Sequence, residues 1–185
     1  MVRKGLEGLA FLAFITIAAT AVAQQTPVSY GIACAHSRIA VPDGLRCQTT
    51  QNYSGYQNSD DGGGTFRNWA ASGAIGGVQF LYLMTEVTSM DVGLNPSRTL
   101  HDTIKAELAS AGPTNFSALA HRGGADFVTF SLAAGNSCVG IRRYGPSETL
   151  GYRWILVAVR CEPSGRATSQ ADIDGFIAAA RVRGS

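Results

Sequence analysis

The stretch VQFLYLMTEV, residues 78–87, carries the clearest structural signal in this chain. It is nearly continuously apolar from Val78 to Met84, which is typical of a strand whose two faces are both buried. The sequence therefore predicts a strand in the centre of a sheet. The neighbouring segments are interpreted as elements that pack around this strand.

A helix is predicted after this strand, in the segment NPSRTLHDTIKAELASAGP, residues 95–113. Asn95 is a suitable N-cap and Pro96 fits the first helical position, whereas Gly112 followed by Pro113 ends the helix. An apolar stripe at helical spacing is expected to pack one side of the helix against the sheet. The stripe consists of Leu100, Ile104, Leu108 and Ala111.

The C-terminal part of the chain predicts three antiparallel strands and a second helix. The segment DFVTFSLAAGNSCVGIRRY, residues 126–144, indicates two strands joined by a turn, and YRWILVAVRC, residues 152–161, indicates a third. Thr168 or Ser169 is the expected N-cap of the last helix, with Asp172 in its first turn. The inward side of this helix is expected to contain Ile173, Phe176, Ile177 and Ala180.

The segment CAHSRIAVPDGLRC, residues 34–47, is interpreted as a β-hairpin that a disulfide closes at its base. Pro42 and Gly44 favour a turn, so the extended segments on either side are expected to pair with each other. The alternative is a metal or redox site formed by Cys34 and His36. Their spacing is not that of zinc sites or redox dithiols.

The first residues have the three-part pattern of a secretory signal peptide, with cleavage predicted after Ala23. The apolar run is too short for a transmembrane helix. Residues 1–23 are therefore a predicted signal peptide, and the mature chain is expected to be soluble and periplasmic or secreted. Loss of Arg3, Lys4 and Glu7 changes 15 basic and 13 acidic residues to 13 and 12. The balance is near neutral, and no basic cluster indicates nucleic-acid binding.

The four cysteines indicate disulfides, because an exported chain meets oxidising conditions. The sequence alone leaves more than one connectivity open. We favour Cys34 with Cys47 and Cys138 with Cys161. Each of these pairs is close in sequence and flanks a predicted strand-turn-strand.

Residues 24–185 are predicted to form a single α+β domain, a mainly antiparallel sheet packed by two helices with an N-terminal β-hairpin. Residues 51–77 are rich in Gly, Asn and Ser and are predicted to be a long loop, with a short strand around Thr65 to Trp69 left open as an alternative. The aromatic residues of this segment and a basic strand end form a predicted contact surface. It consists of Tyr53, Tyr56, Phe66, Trp69, Arg142, Arg143 and Tyr144.

The order of elements resembles the PsbP-like fold, which an extrinsic photosystem subunit, a nuclear-transport accessory protein and many small exported bacterial proteins share. The residues that carry the resemblance are RIAVPDGL at 38–45, the central strand with its helix, and the ending YRWILVAVRC with FIAAARV. The glycine-rich segment and the four cysteines depart from that pattern. The resemblance implies an α+β sandwich with an accessory or binding role rather than catalysis.

Candidate catalytic residues are few. His101 and His121 have the acidic sequence neighbours Asp102 and Asp126, but the chain has no G-x-S-x-G motif of a serine hydrolase. The segment NSDDGGG, residues 58–64, lacks the spacing of a calcium-binding EF-hand or a phosphate-binding loop. No cofactor and no metal site are therefore predicted.

Arg142 and Arg143 are adjacent at a predicted strand end, so their side chains are expected on opposite faces of the sheet. Two roles are open for them. Charges at a sheet edge hinder strand-to-strand aggregation. Alternatively, one of the two arginines binds an anionic ligand together with Tyr144 or Arg153. We favour the first role.

These features together favour an exported, disulfide-bonded binding or accessory protein of the cell envelope or extracellular space, without catalytic activity. Its partner is expected to be a protein or an envelope component and not nucleic acid. After removal of the signal peptide, no transmembrane span is expected. The alternative is a small secreted hydrolase that uses His101 or His121.

Overall fold

The computed structural model describes residues 27–55, 64–89 and 92–184. The predicted signal peptide and most of the NSDDGGG segment lie outside these residues. The described residues form thirteen strands, two α-helices and two single-turn 3-10 helices. The strands are β1 (Ser29–Ile32), β2 (Ile39–Ala40), β3 (Arg46–Thr50), β4 (Tyr53–Gly55), β5 (Gly64–Ile75), β6 (Val78–Val87), β7 (Ala120–Arg122), β8 (Ala125–Ser131), β9 (Ser137–Tyr144), β10 (Ser147–Glu148), β11 (Gly151–Tyr152), β12 (Trp154–Cys161) and β13 (Arg181–Val182). The helices are α1 (Leu100–Glu107) and α2 (Gln170–Ala179), and the 3-10 turns are Cys34–His36 and Ala109–Ala111.

Nine of these strands form one sheet with the order β1-β3-β5-β6-β12-β9-β8-β7, and β4 pairs with β5. Every pairing in the sheet is antiparallel. β6 lies between β5 and β12, which confirms the predicted central strand. The sheet and its two helices also confirm the predicted α+β class.

The two helices pack on opposite faces of the sheet. Successive side chains of a strand point to opposite faces of the sheet. Two neighbouring residues of β12 therefore show which helix packs on each face. Val159 belongs to a buried cluster that contains Leu100 and Ile104 of α1. The next residue, Arg160, instead binds Asp172 of α2 at 2.8 Å. We call the two sides of the sheet the α1 face and the α2 face.

The larger core cluster lies on the α2 face. Phe176 of α2 packs its ring against Tyr82 and Phe80 of β6, at centroid distances of 5.9 and 6.4 Å. Burial raises the pKa of Tyr82 to about 12, against a smaller lowering by the charge of Arg160. The predicted inward residues of α2 are all buried, which confirms the interpretation of this helix.

Helix α2 begins as the sequence predicts, whereas α1 begins later. Ser169 is the N-cap of α2 and forms a capping box with Asp172. The predicted cap of α1 at Asn95 is wrong, because Thr99 accepts the hydrogen bond from the Asp102 amide and caps the helix. The Asn95 side chain donates to the Leu150 carbonyl instead. The Asn95 side chain is thus bonded to a residue that is distant in the sequence and does not cap the helix.

The two halves of the predicted N-terminal hairpin do not pair with each other. The turn itself forms, with Gly44 at φ 91°. However, β2 pairs with β13 near the C-terminus, and β3 pairs with β1 and β5. The prediction of a paired hairpin is wrong because the chain crosses onto the α2 face after β1, where Ile39 is fully buried in the main core.

The segment predicted as a loop, residues 51–77, contains β4 and the long strand β5. The prediction of a loop is therefore wrong for these strands, and β5 extends well beyond the short strand considered around Thr65 to Trp69. β5 is held by ladders to β3 on one side and β6 on the other. Strand formation by its Gly, Ser and Asn residues depends on those neighbours rather than on intrinsic preference. Residues 56–63 of the segment lie outside the described part of the chain.

Both favoured disulfides are confirmed. Cys34 bonds to Cys47, and Cys138 bonds to Cys161. The second pair joins facing residues on the neighbouring strands β9 and β12. Two disulfides are compatible with an exported protein. Among the described residues, no helix is long and apolar enough to cross a membrane.

An ion cluster attaches the end of β12 to the start of α2. Glu162 is fully buried, and its carboxylate lies 2.7 Å from Arg160 Nη2 and 3.3 Å from Arg166 Nε. Arg160 Nη2 also binds Asp172 Oδ1 at 2.8 Å. The buried Glu162 carboxylate therefore depends mainly on the Arg160 guanidinium, which it shares with Asp172 of the α2 capping box.

Asp172 is expected to make the stability of the fold sensitive to acid. Hydrogen bonds from the Ser169 hydroxyl and amide, and then Arg160, lower its pKa from 3.8 to about 2. A carboxylate with a lowered folded-state pKa stabilises the fold above its unfolded pKa and loses this contribution as the pH falls through the folded value. We expect Asp172→Asn to lower the urea midpoint at pH 7 and to differ progressively less from wild type between about pH 4 and pH 2.

The measurement is urea denaturation at several pH values, with Asp43→Asn as the control because Asp43 is exposed in a turn. The control is expected to follow the wild-type profile. A gap between wild type and Asp172→Asn that stays constant down to pH 2 would contradict the role of this carboxylate.

Candidate functional site

The aromatic residues of the predicted contact surface are mostly core residues. Phe66 is 1% exposed and Trp69 is 8% exposed. Because they lie on opposite faces of β5, Phe66 packs with Val87, Val92 and Leu94, whereas Trp69 joins the α2-face core. Their predicted exposure is wrong. Tyr53 is half-buried.

Polar contacts also hold these aromatic residues inside the fold. Trp69 Nε1 donates to Glu86 Oε2 at 3.1 Å, and the Tyr53 hydroxyl donates to Asn68 Oδ1 at 3.2 Å. Tyr56 lies outside the described residues. The aromatic part of the predicted contact surface therefore does not form one exposed patch in the described structure.

Arg142 and Arg143 point to opposite faces of the sheet, as the sequence predicts. Arg142 lies on the α1 face, where its guanidinium stands 5.4 Å from the centre of the Tyr144 ring. Arg143 lies on the α2 face and donates to the Ile177 carbonyl at 2.7 Å. The interpretation as solvated edge charges is wrong, because β9 lies between β12 and β8 and Arg142 is only 7% exposed.

Asp126 is the centre of a small polar cluster on the α1 face. Its carboxylate lies 3.2 Å from His121 Nδ1, accepts from the Tyr144 hydroxyl at 3.3 Å, and is 3.8 Å from Arg142 Nη2. Burial raises the pKa of Tyr144; the charge of Arg142 opposes this shift and Asp126 adds to it. The cluster fixes the orientation of Arg142 on its strand.

The two histidines considered for hydrolysis have different surroundings. His121 is paired with Asp126, while His101 Nε2 contacts the Ser117 carbonyl at 2.9 Å and packs against Phe116. Among the described residues, neither histidine contacts both a serine hydroxyl and a carboxylate. A nucleophile, base and orienting acid are therefore not brought together there.

The cysteine and histidine of the first segment do not form a metal site. Cys34 is bonded to Cys47, and His36 is exposed at the end of a 3-10 turn. Within the described ranges, no group of three metal-ligating side chains is present. His36 thus has no ligand role in this arrangement.

Helix α1 is too small to cover its face of the sheet. Eight helical residues are about 12 Å long and the helix is about 10 Å wide, which spans roughly two strands. Leu100 and Ile104 place α1 over β8 and β9. A side chain at Gly140 would meet Ile104 Cδ1 at 2.3 Å, so the glycine permits this close approach. The α1 face of β12, β6 and β5 is therefore partly uncovered.

A groove runs beside α1 on this uncovered part of the sheet, and we call it the α1 groove. It consists of two cavities of about 210 and 540 Å³ that share Glu107 in their walls. Aliphatic side chains of the sheet that are half-buried or buried provide its floor. They are Leu81, Leu83, Ile155, Val157 and Val159.

One end of the α1 groove is basic and polar. The guanidinium of Arg142 forms part of the smaller cavity and donates to the Arg98 carbonyl at 2.8 Å. Its Nε is buried and, among the described residues, has no hydrogen-bond partner. Asn95 and Arg98 line the same cavity. The groove thus joins an aliphatic floor to a polar end that carries two arginines, while a single arginine, Arg46, lines the larger cavity.

The floor of this groove was not predicted from the sequence. The apolar run of residues 78–87 indicates burial on both faces, but Leu81 and Leu83 are only half-buried. The available signal is the ratio of predicted elements, because two helices cover little of both faces of a mainly antiparallel sheet. In the structure the helices have eight and ten residues and the sheet has nine strands.

No protein-family model, curated protein or solved structure matches this chain.

Proposed function

We propose that this protein is an exported, disulfide-bonded binding protein of the cell envelope or extracellular space, and that the α1 groove holds its ligand. The observation that carries the proposal is the partly exposed aliphatic floor of the groove, held on the central strands. The two disulfides support the exported location. We also propose a PsbP-like fold, because the order of elements predicted from the sequence resembles that fold. The resemblance implies an accessory or binding role.

The ligand that fits the groove is elongated, with an apolar body and one anionic end. The two cavity volumes lie within the range of about 300–1,000 Å³ for small-molecule sites when taken together. Leu81 and Leu83 favour an apolar body, because its burial removes their surface from water. Arg98 and Arg142 favour a negative end.

The experiment compares dodecanoate with dodecanol by isothermal titration calorimetry. Leu83→Gln is expected to weaken binding of both probes about tenfold, since it removes apolar contact from the floor. Arg98→Gln is expected to weaken only dodecanoate, because only this probe carries a charge.

The matched control is Leu119→Gln, which removes an exposed leucine outside the groove. It is expected to bind both probes as wild type does. Thermal melting of each variant checks that the fold is intact. The proposal fails if dodecanoate does not bind, or if Leu83→Gln and Leu119→Gln bind it equally well.

A further inference from the structure

Three arginines meet around a second cavity, on the α2 face of the sheet. The cavity has a volume of about 480 Å³. Arg122 comes from the edge strand β7, Arg143 from β9 and Arg181 from β13. Strands that are distant in the sequence therefore bring three positive charges to one place, at the C-terminal end of α2.

One carboxylate, Asp174, lines the cavity with these arginines. Arg122 Nη1 donates a hydrogen bond to Asp174 Oδ1 at 2.6 Å. This hydrogen bond is the main cause of the lowered pKa of Asp174. Arg143 and Arg181 instead donate to helix carbonyls, those of Ile177 and Ala178, at 2.7 and 2.6 Å. The formal charge of the lining side chains is three positive and one negative, or plus two.

Capping of α2 accounts for only part of this arrangement. Cations at a helix C-terminus interact favourably with its carbonyls. Within the described part of the chain, however, each of the three guanidiniums forms a single hydrogen bond. An arginine carries several N–H donors in a planar fork, so most donors of these three side chains have no hydrogen-bond acceptor among the described residues. Arg143 Nε is one of them, and it is buried.

The guanidiniums of Arg143 and Arg181 also repel each other at this cavity. Burial lowers the pKa of Arg143, and the positive charge of Arg181 lowers it further. A bound anion would offset both effects, because it would provide hydrogen-bond acceptors and the opposite charge.

We propose that Arg122, Arg143 and Arg181 form a binding site for a phosphate group. A phosphate monoester carries about −1.5 to −2 charges at pH 7, which matches the charge of the lining. Arginine forks bind phosphate oxygens in pairs, and three forks around one cavity provide for several oxygens. The site lies on the opposite face of the sheet from the α1 groove and is independent of it.

Inorganic phosphate is the first probe, with binding followed by calorimetry on the purified protein. Arg181→Gln and Arg122→Gln each remove one exposed guanidinium. Each substitution is expected to weaken phosphate binding about tenfold or more, because a hydrogen bond to a charged group is lost. Lys105→Gln is the matched control, since Lys105 is exposed on α1, on the other face of the sheet, and lines neither this cavity nor the α1 groove. It is expected to bind phosphate as wild type does.

Vesicles distinguish the source of the phosphate group. Retention on vesicles that contain phosphatidic acid, compared with pure phosphatidylcholine, assigns the site to a lipid headgroup, whereas binding of inorganic phosphate assigns it to a soluble ligand. In either case the binding must be weakened by Arg181→Gln and not by Lys105→Gln. Binding of neither probe, or binding that Arg181→Gln and Arg122→Gln leave unchanged, overturns the proposal. Such a result would not contradict dodecanoate binding in the α1 groove, because the two sites lie on opposite faces of the sheet.

Discussion

Replacement of Arg160 with methionine is expected to lower the free energy of unfolding by about 3 kcal/mol or more. The substitution leaves the fully buried Glu162 carboxylate without its nearest cation, and it also removes a partner of Asp172. The remaining cation, Arg166, is 59% exposed and lies farther away, so it compensates only in part. Urea denaturation at pH 7 measures the change.

A second variant separates the cost of the orphaned charge from the loss of packing. In Arg160→Met/Glu162→Leu, both members of the pair are apolar, and most of the lost stability is expected to return. Arg166→Met is the matched control and is expected to cost less than about 1 kcal/mol, because Arg166 is itself mostly exposed and Glu162 keeps its nearer partner Arg160. If the double variant is as unstable as Arg160→Met alone, the buried charge is not the cause.

Removal of the Cys138–Cys161 disulfide is expected to cost about 3 kcal/mol. The crosslink closes a loop of 23 residues, so its loss increases the conformational freedom of the unfolded chain. The two half-cystines are 0% and 3% exposed within the cluster that supports α1. Alanine at both positions therefore also leaves a small cavity in that cluster.

The other disulfide provides the comparison. Cys34→Ala/Cys47→Ala opens a shorter loop, between cysteines 13 residues apart, but should lose a similar entropic contribution because this contribution depends only weakly on loop length. Cys34 is only half-buried, so the cavity contribution is expected to be smaller. Thermal melting of both double variants, without reductant, tests this order. Equal stability of wild type and the Cys138→Ala/Cys161→Ala variant would contradict the expectation.

Elements whose signals are local were predicted well from the sequence. The continuous apolar run of β6 and the Ser169 cap of α2 depend on residues within one turn or one strand. The disulfide pairs were predicted because each joins cysteines that are close in the chain. In these cases the same residues provide both the signal and the structure.

Elements that depend on a distant partner were missed or predicted only in part. Gly64–Ile75 has the composition of a loop, yet it forms a strand because β3 and β6 hold it on both sides. β2 pairs with β13, across most of the chain, and not with its neighbour β3. No local pattern contains the information about these partners, because pairing energy depends on the register of two separate segments.

The candidate sites divide in the same way. The sequence by itself determined the α+β class and the alternation that places Arg142 and Arg143 on opposite faces, and it favoured the cysteine pairs that the structure contains. Only the tertiary structure decided that α1 covers two strands and leaves Leu83 in a groove, and that Arg122, Arg143 and Arg181 meet at one cavity. The physical reason is that side-chain direction along a strand is a local property of the backbone, whereas burial and charge clustering depend on which distant surfaces meet.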